Sequence, residues 1–315
     1  MFPLSRRAFS HTLLAGAALC ALRSTVAAPH AAKKMTIALT PGSIGVSVRN
    51  QREIIDLAVK YGFESIEPIA GELGQLDENG FAKLKEEMAA KGLVWVAAGL
   101  PVDFRGDESA FDAGMKTLPT LAAGLQRAGV TRMGTWLSPS HPTLTYRKNF
   151  AQHVERLRAI AKVLNDHGLR FGLEYVGTQS LLTRPKYPFV HTMAETRELI
   201  AEISQPNVGL VLDSWHWWTA GDSVEEVLSL KNEDVVSVDL NDAPRGVPKE
   251  AVQDNARELP AATGVIDVKT FLDALRKIEY DGPVRAEPFN NALNALDNDA
   301  ACAATIAAMK KAFAL

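Results

Sequence analysis

Cysteine is nearly absent from this chain of 315 residues, which has only Cys20 and Cys302. Cys20 falls in an N-terminal segment that we expect to be removed, so the mature chain would keep one cysteine. A single cysteine can form no internal disulfide bond. A fold held by disulfides is therefore excluded, and stability has to come from packing, with or without a bound metal.

Long hydrophobic runs and an excess of basic residues are also missing. The mostly apolar stretch 8–22 is too short to span a bilayer. The formal net charge of -3 becomes -6, with 37 acids against 31 bases, once the first 27 residues and their three arginines are set aside. Nucleic acid and anionic lipid are therefore poor candidate partners, and no stable membrane anchor is expected.

The N-terminal segment has the pattern of a targeting signal. The pair Arg6-Arg7 precedes the apolar stretch 8–22, and a run of small residues reaches Ala27. This pattern resembles a twin-arginine signal peptide, which implies export of a protein that is already folded. We expect cleavage after Ala27, a periplasmic location and three divisions of the chain: a signal peptide at 1–27, a short linker at 28–34 and a folded domain at 35–315.

From Met35 onward, short apolar segments alternate with longer amphipathic ones. The short segments are largely continuous apolar runs, which is typical of parallel strands covered by helices. We predict eight strands, at Met35–Leu39, Phe63–Glu67, Leu93–Gly99, Val130–Trp136, Arg170–Tyr175, Val208–Asp213, Val235–Leu240 and Val284–Glu287. We predict helices near Asn50–Tyr61, Asp77–Lys91, Glu108–Ala128, Tyr146–His167, Thr192–Ile203, Ser223–Ser229, Asp267–Ile278 and Asn294–Phe313.

Glycine closes four of the predicted helices, at Gly62, Gly92, Gly129 and Gly168. The residue that follows a helix often adopts a left-handed conformation, which glycine enters without a steric cost. The repeated pattern indicates eight βα units in a single α/β domain, which is the composition of a (β/α)8 TIM barrel. A doubly wound open sheet is the competing fold, but no G-x-G-x-x-G motif follows the first strand.

Acidic residues stand at the ends of five predicted strands. Catalytic groups of a TIM barrel come from the carboxyl ends of its strands, so these acids would meet at one mouth. Gathered carboxylates repel each other unless a cation lies among them or some are protonated. The alternative to a bound cation is that each acid pairs with a neighbouring Arg or Lys. Oxygen ligands favour Mn²⁺, with Mg²⁺ or Co²⁺ as alternatives. The acids are Glu67, Glu174, Asp213, Asp239, Asp242 and Glu287.

Three segments have a recognisable order along the chain: 211–216 (VLDSWH), 263–267 (TGVID) and 280–287 (YDGPVRAE). Together they resemble the xylose-isomerase-like barrels of the sugar phosphate isomerase/epimerase group. The resemblance covers nearly all of the mature chain. It implies a TIM barrel with a divalent metal at the strand ends.

The resemblance also implies a metal shell of Glu174, Asp213 and Glu287. Many epimerases of this group have histidine at the end of strand seven, where this chain has Asp239 in the sequence Asp-Leu-Asn. That sequence is instead similar to xylose isomerases proper, whose strand-seven ligand is an aspartate, so we include Asp239 as a fourth ligand. His216 is expected to contact the metal or the substrate, with a packed core position as the alternative.

Further side chains are candidates for substrate binding. Glu67 ends strand two, and Trp215, Trp217 and Trp218 could stack on a sugar ring or fill space in the core. The remaining candidates lie in predicted loops after strands, where solvated surface charge is the alternative interpretation. They are His141, Arg184, Lys186, Arg245 and Arg257.

A metal held by carboxylates can stabilise the enediolate that forms when a proton leaves the carbon beside a carbonyl. The resemblance implies Glu174 and Glu287 as base and acid on opposite faces of the substrate. We predict a metal-dependent isomerase or epimerase of a free sugar or keto-sugar, because no phosphate-binding Gly-rich loop is evident. A lyase or hydrolase that acts on 3-keto-glycosides by β-elimination is the alternative.

Two other classes of protein compete with an enzyme of this kind. A periplasmic sugar-binding protein usually has two lobes and a hinge, whereas this sequence offers eight successive βα units. A DNA-cleaving relative of endonuclease IV needs a His-rich zinc cluster, but His216 is the one histidine here near a strand end. The expected partner is therefore a small carbohydrate and not nucleic acid, with the oligomeric state left open.

Overall fold

Strands and helices alternate through residues 35–315, the part of the chain that the computed structural model describes. The predicted signal peptide, cleavage site and linker fall in residues 1–34 and lie outside the described residues. The strands are β1 (Thr36–Leu39), β2 (Ser65–Ile66), β3 (Val94–Trp95), β4 (Ala98–Gly99), β5 (Arg132–Trp136), β6 (Ser140–His141), β7 (Arg170–Glu174), β8 (Tyr187–Pro188), β9 (Val208–Asp213), β10 (Val235–Leu240) and β11 (Pro283–Ala286).

Nine of these strands form one parallel sheet in the order β3-β2-β1-β11-β10-β9-β7-β5-β4. The two strands at its ends, β3 and β4, belong to one continuous segment, residues 94–99. Because β3 pairs with β2 and β4 pairs with β5, this segment joins both edges and closes a ring of eight chain segments. The predicted TIM barrel is confirmed.

Helices cover the outside of the barrel, and polar caps determine where several of them begin. Asn50, Asp77 and Asp107 each accept a hydrogen bond from the backbone N–H three residues further on. The helices are α1 (Gln51–Tyr61), α2 (Ala70–Leu73), α3 (Glu78–Ala90), α4 (Glu108–Ala128), α5 (Tyr146–Asp166), α6 (Gln179–Leu182), α7 (Met193–Ile203), α8 (Ser214–Ala220), α9 (Val224–Leu228), α10 (Val268–Lys277), α11 (Asn291–Asn294) and α12 (Asn298–Phe313).

The helix-ending glycines behave as predicted. All four have φ between 65° and 86°, in the left-handed region that disfavours residues with a Cβ atom. Each therefore ends its helix and turns the chain toward the next strand.

The structure differs from the sequence prediction in several elements, among them the unpredicted short helices α2, α6, α8 and α11. The third strand is split, because its two halves pair with different neighbours where the ring closes. The last long helix begins at Asn298 and not at Asn294, since the side chain of Asp297 caps it by accepting from the N–H of Ala300. A short antiparallel pair, β6 with β8, was not predicted and lies outside the main sheet.

Apolar side chains fill the layer between strands and helices. Leu157, Ile160 and Leu164 lie on one face of α5, are fully buried, and belong to the same cluster as Phe171 and Leu173 of β7. No helix within residues 35–315 combines the length and apolar character needed to cross a membrane. The packed layer holds the strands rigidly, so the side chains at their carboxyl ends have fixed positions.

Candidate functional site

Four carboxylates lie at the carboxyl ends of neighbouring strands. Glu174 ends β7, Asp213 ends β9, Asp239 is the next-to-last residue of β10, and Glu287 directly follows β11. The register of the sheet aligns them, since Asp239 is paired with Asp213 on one side and with Arg285 on the other. Adjacent strands lie about 4.8 Å apart, so side chains that point the same way meet.

The four acids form one cluster. One oxygen from each of them lies within 4.8 Å of the others. Glu174, Asp213 and Asp239 are buried, and the side chain of Glu287 is 12% exposed. Oε1 of Glu174 is buried and has no hydrogen-bond donor among the described residues. Burying a carboxylate oxygen without a hydrogen-bond donor costs free energy, so this atom indicates a place for a cation, a proton or a ligand group.

Burial and mutual repulsion raise the pKa values of three acids in the cluster. The pKa of Glu174 rises well above its usual range, first through burial and then through the neighbouring carboxylates. Burial raises the pKa of Asp213 to about 7, although Arg257 opposes the shift. Burial also raises the pKa of Glu287, against the opposing effect of Arg285. The cluster therefore favours bound protons or a bound cation near neutral pH.

Arg285 holds one of the four acids from the adjacent strand. Its Nε donates to Oδ1 of Asp239 at 2.5 Å and its Nη2 donates to Oδ2 at 2.7 Å. The same Nη2 donates to Oε1 of Glu287 at 2.9 Å. Bidentate pairs of this kind are strong and directional. Each oxygen of Asp239 accepts one hydrogen bond from Arg285 and keeps a further lone pair, and its role as a fourth metal ligand stays a prediction.

Arg257 closes the other side of the cluster. Its Nη1 donates to Oδ2 of Asp213 at 2.8 Å and lies 3.4 Å from Oε2 of Glu287, and its Nη2 donates to Oδ1 of Asp254 at 3.0 Å. Burial alone would lower the pKa of Arg257, but these three carboxylates outweigh it and raise the pKa. Two guanidinium groups thus face five carboxyl groups, so the arginines alone cannot neutralise all five if every one is ionised.

His216 belongs to the same buried group. Its Nε2 lies 3.9 Å from Oε1 of Glu174, 3.8 Å from Oδ2 of Asp213 and 3.3 Å from Nη2 of Arg257. Burial lowers the pKa of His216 to about 3, and Arg257 acts in the same direction, so the ring is neutral. A neutral imidazole among carboxylates is suited to contact a metal or a substrate hydroxyl.

Glu174 and Glu287 reach a common cavity of about 260 Å³ inside the barrel. Glu67, which the sequence predicts to bind substrate, lines the same cavity. Burial raises the pKa of Glu67, and Arg285 partly opposes this. The remaining walls come from the segment that contains β4, from the loop after it, and from β5, β9, β10 and β11. The residues are Val96, Ala97, Ala98, Gly99, Leu100, Arg105, Gly134, Thr135, Trp136, Val211, Ser237, Pro283 and Arg285.

The other residues predicted to bind substrate do not line this cavity. Trp215 is fully buried, donates from Nε1 to Oγ1 of Thr178 at 2.9 Å, and has its ring 5.3 Å from the guanidinium of Arg257. His141 lies in the β6–β8 pair, where its Nδ1 accepts from two backbone N–H groups of its own turn. The described residues that line the cavity do not include Trp215, Trp217, Trp218, His141, Arg184, Lys186, Arg245 or Arg257.

Four residues of the site are not singled out by the sequence. Trp136 is the last residue of a predicted strand, and Arg285 lies within the segment 280–287, so the strand-end rule could have identified both. Asp254 and Arg105 come from loops. Their approach to the site depends on the path of those loops, which no local pattern indicates.

A family model of the xylose isomerase-like TIM barrel matches residues 55–312 of this chain. This chain belongs to the xylose isomerase-like TIM barrel family. The matched range contains all four carboxylates of the cluster and both arginines that contact them. The family resemblance predicted from the three segments is confirmed.

This chain is similar in sequence to a curated enzyme and similar in fold to two solved structures. Inosose isomerase of Bacillus subtilis (strain 168) is 25% identical to this chain over 153 residues. The aligned region covers 47% of this chain and about half (52%) of the length of that relative. A xylose isomerase domain protein from Alicyclobacillus acidocaldarius shares 29% identity and a TM-score of 0.77, covering 89% of this chain and 98% of that one. The IolI protein with a bound zinc atom shares 20% identity and a TM-score of 0.72, covering 88% and 98%.

The donor set of this family member fits a divalent cation. Glu174 offers an unpartnered oxygen, and the arginines leave part of the carboxylate charge without balance. Carboxylate oxygens suit Mn²⁺ and Mg²⁺, while the imidazole of His216 also suits zinc. The residues present therefore allow a bound divalent ion.

Proposed function

We propose that this family member is a divalent-metal-dependent isomerase or epimerase of a small sugar or keto-sugar. The observation that carries the proposal is the carboxylate cluster, in which Glu174 has an unpartnered oxygen and reaches the same cavity as Glu287. The similarity to inosose isomerase supports this class of reaction.

Glu174, Asp213 and Glu287 would hold the ion, with His216 within reach and Asp239 as a fourth ligand through a lone pair that Arg285 leaves free. When bound, the ion would stabilise the negative charge that develops on adjacent oxygens of a hydroxy-ketone. Oxygen donors favour Mn²⁺, with Mg²⁺ or Co²⁺ as alternatives. The zinc atom in IolI makes Zn²⁺ a further candidate.

Glu174 and Glu287 are the proposed proton carriers. They come from different strands and face one cavity, so a small substrate between them would meet a carboxyl group on each side. Each carboxyl group can accept a proton when it is ionised and donate one when it is protonated. One would remove the proton beside the carbonyl, and the other would return a proton at a different face or carbon.

The dimensions of the cavity support a small substrate. Its volume of about 260 Å³ lies below the range of about 300–1,000 Å³ that is usual for drug-sized ligands. Trp136 lines it and is 48% exposed, so its ring is available to the apolar face of a sugar. A monosaccharide or an inosose therefore suits the space better than an oligosaccharide.

Hydrogen exchange with solvent tests the proposal. The purified chain is loaded with Mn²⁺ and incubated in D₂O with D-fructose, D-tagatose and an inosose, and ¹H NMR follows the carbon beside the carbonyl. We expect deuterium incorporation and an isomerised product. Glu174→Gln should slow exchange by about 10²–10⁴-fold, whereas Glu233→Gln, an exposed acid outside the cavity, should not change it.

The same experiment separates the competing functions. Absence of exchange with every substrate, in protein shown to contain metal, would contradict the proposal. Loss of the leaving group from a 3-keto-glycoside, at a rate that matches exchange, would assign the β-elimination alternative. Tight sugar binding without metal and without exchange would indicate a binding protein.

A periplasmic location forms part of the proposal and depends on Arg6 and Arg7. Fractionation of cells that express the full chain, followed by N-terminal sequencing, is expected to give a mature protein that begins near Ala28. The double change Arg6→Lys and Arg7→Lys should leave the precursor unprocessed. Equal processing of both forms would exclude the twin-arginine route.

A further inference from the structure

Arg105 follows the third barrel strand and lines the cavity of the proposed site. Its guanidinium carbon lies 4.3 Å from the ring centroid of Phe104 and 4.1 Å from that of Trp136. Nη2 donates to Oγ1 of Thr135 at 3.0 Å and to the backbone carbonyl of Trp136. These contacts hold the guanidinium against the carboxyl end of β5.

No carboxylate within the described part of the chain forms an ion pair with Arg105. Its Nε is buried without an acceptor, and Nη1 donates to none of the described residues. Oδ1 of the nearby Asp103 accepts instead from the backbone N–H groups of Arg105 and Gly106. Burial lowers the pKa of Arg105 to about 10, and Asp103 offsets this only in part.

Arg156, a buried arginine of α5, differs from Arg105 because it has a counter-charge. Arg156, which also contacts this loop through the carbonyls of Phe104 and Gly106, is paired with Glu108 at 2.8 Å. Arg105 is only partly buried. A partly buried cation without a counter-charge loses some of its hydration, and an anionic ligand would compensate for that loss. Arg105 thus keeps N–H donors that an anionic ligand could use, beyond the contacts that fix the loop.

The sheet register places this receptor beside the carboxylate cluster. Trp136, which stacks on Arg105, is the register partner of Glu174 on the adjacent strand. Backbones of paired strands lie about 5 Å apart. An anionic group held by Arg105 would thus lie at one end of the cavity while the rest of a small molecule extends toward Glu174 and Glu287.

We propose that Arg105 binds a carboxylate of the substrate, so that the enzyme acts on an acidic keto-sugar of the uronate type in preference to a neutral one. The inference rests on the proposed function and names its substrate class. Guanidinium–carboxylate contacts are charge-assisted and directional. A neutral sugar would leave the partly buried cation unpaired, and that difference provides the discrimination.

A carboxylate fits this position better than a phosphate. Phosphate sites usually combine several backbone N–H groups at the start of a helix. The helix that follows the loop, α4, is capped by Asp107, whose Oδ1 accepts from the N–H of Ala110 at 2.8 Å. A negative group already occupies that helix end, so the loop offers one isolated guanidinium to the ligand.

Two ketoses that differ only at C6 test the inference: D-fructose, and D-fructuronate with its C6 carboxylate. Calorimetry measures the binding of each, and of D-fructose 6-phosphate, to the Mn²⁺-loaded chain. The variants are Arg105→Met, Arg105→Lys and the control Arg245→Met, whose arginine donates to the carbonyl of Thr263 outside the cavity. We expect wild-type protein to bind D-fructuronate about tenfold more tightly than D-fructose, or better.

Arg105→Met should abolish this preference by weakening the binding of D-fructuronate more than that of D-fructose, Arg105→Lys should keep part of the preference, and Arg245→Met should keep all of it. Equal affinity of wild-type protein for both ketoses, undetectable binding of D-fructuronate, or equal loss of both ligands in Arg105→Met would overturn the inference. Tighter binding of the phosphate than of the uronate would overturn the choice of carboxylate.

Exchange in D₂O separates this inference from the proposed function. Equal exchange of both ketoses, without a preference in binding, would keep the proposed reaction and refute the role of Arg105. A preference for the uronate that depends on Arg105, with no exchange of either ligand, would support the anion site and contradict the proposed reaction.

Discussion

Replacing Arg285 with methionine tests the charge balance of the site most directly. Arg285 donates to both oxygens of Asp239 and to one oxygen of Glu287. Methionine keeps an unbranched apolar chain and removes the charge. Asp239, which is 0% exposed, would then remain as a buried carboxylate without the donor that now satisfies it.

The expected cost follows from the burial of the two partners. Removing one member of a buried ion pair destabilises a protein by about 3–5 kcal/mol. The side chain of Arg285 is 25% exposed and that of Asp239 is 0% exposed, so solvent weakens the pair from one side only. We therefore expect the lower end of the range, about 3 kcal/mol, and a fall in Tm of about 5 °C for a domain of this size.

Urea unfolding of wild-type protein, Arg285→Met, Asp239→Asn and the double variant measures this cost. The double variant should be more stable than Arg285→Met, because an amide in place of the carboxylate removes the unpaired charge. The reasoning is refuted if Arg285→Met lies within about 1 kcal/mol of wild type, or if the double variant shows the sum of both single losses.

Three further predictions follow from the same structure. Glu174→Gln and Asp213→Asn should each reduce bound metal at least about tenfold in elemental analysis, and unchanged content in both would contradict the proposed shell. Burial lowers the pKa of His153 from 6.5 to about 4. Between these pH values only the unfolded chain binds the proton, so stability falls as pH is lowered, by about 1.4 kcal/mol per unit. His153→Phe should flatten that slope in urea unfolding, whereas parallel curves would exclude the effect. Gly172→Ala would place a Cβ 2.6 Å from Cγ2 of Val211 and should cost about 1–3 kcal/mol. Gly71→Ala, which meets open space, should not destabilise, and equal Tm values for the two variants would contradict the overpacking argument.

The alternation of strands and helices was predictable because it depends on local chemistry. Continuous apolar runs mark buried strands, and glycines such as Gly62 and Gly129 end helices through a conformation that other residues disfavour. The split of the third strand was not predictable, since it arises where the sheet closes on itself and each half finds a different partner.

The carboxylate cluster was predictable for a similar reason. In a parallel barrel all strands end at one mouth, so acids at strand ends such as Glu174, Asp213 and Glu287 must converge there. The sequence alone therefore determined the barrel and the presence of a negatively charged site at its carboxyl end.

Only the tertiary structure decided how that charge is balanced. Arg257 reaches Asp213 from a loop 44 positions along the chain, and Arg285 reaches Asp239 across a strand pair whose register depends on the whole ring. Arg105 enters the cavity because its loop folds back onto Trp136. Such contacts join residues that are distant in sequence, and the free energy that fixes them comes from packing of the complete barrel.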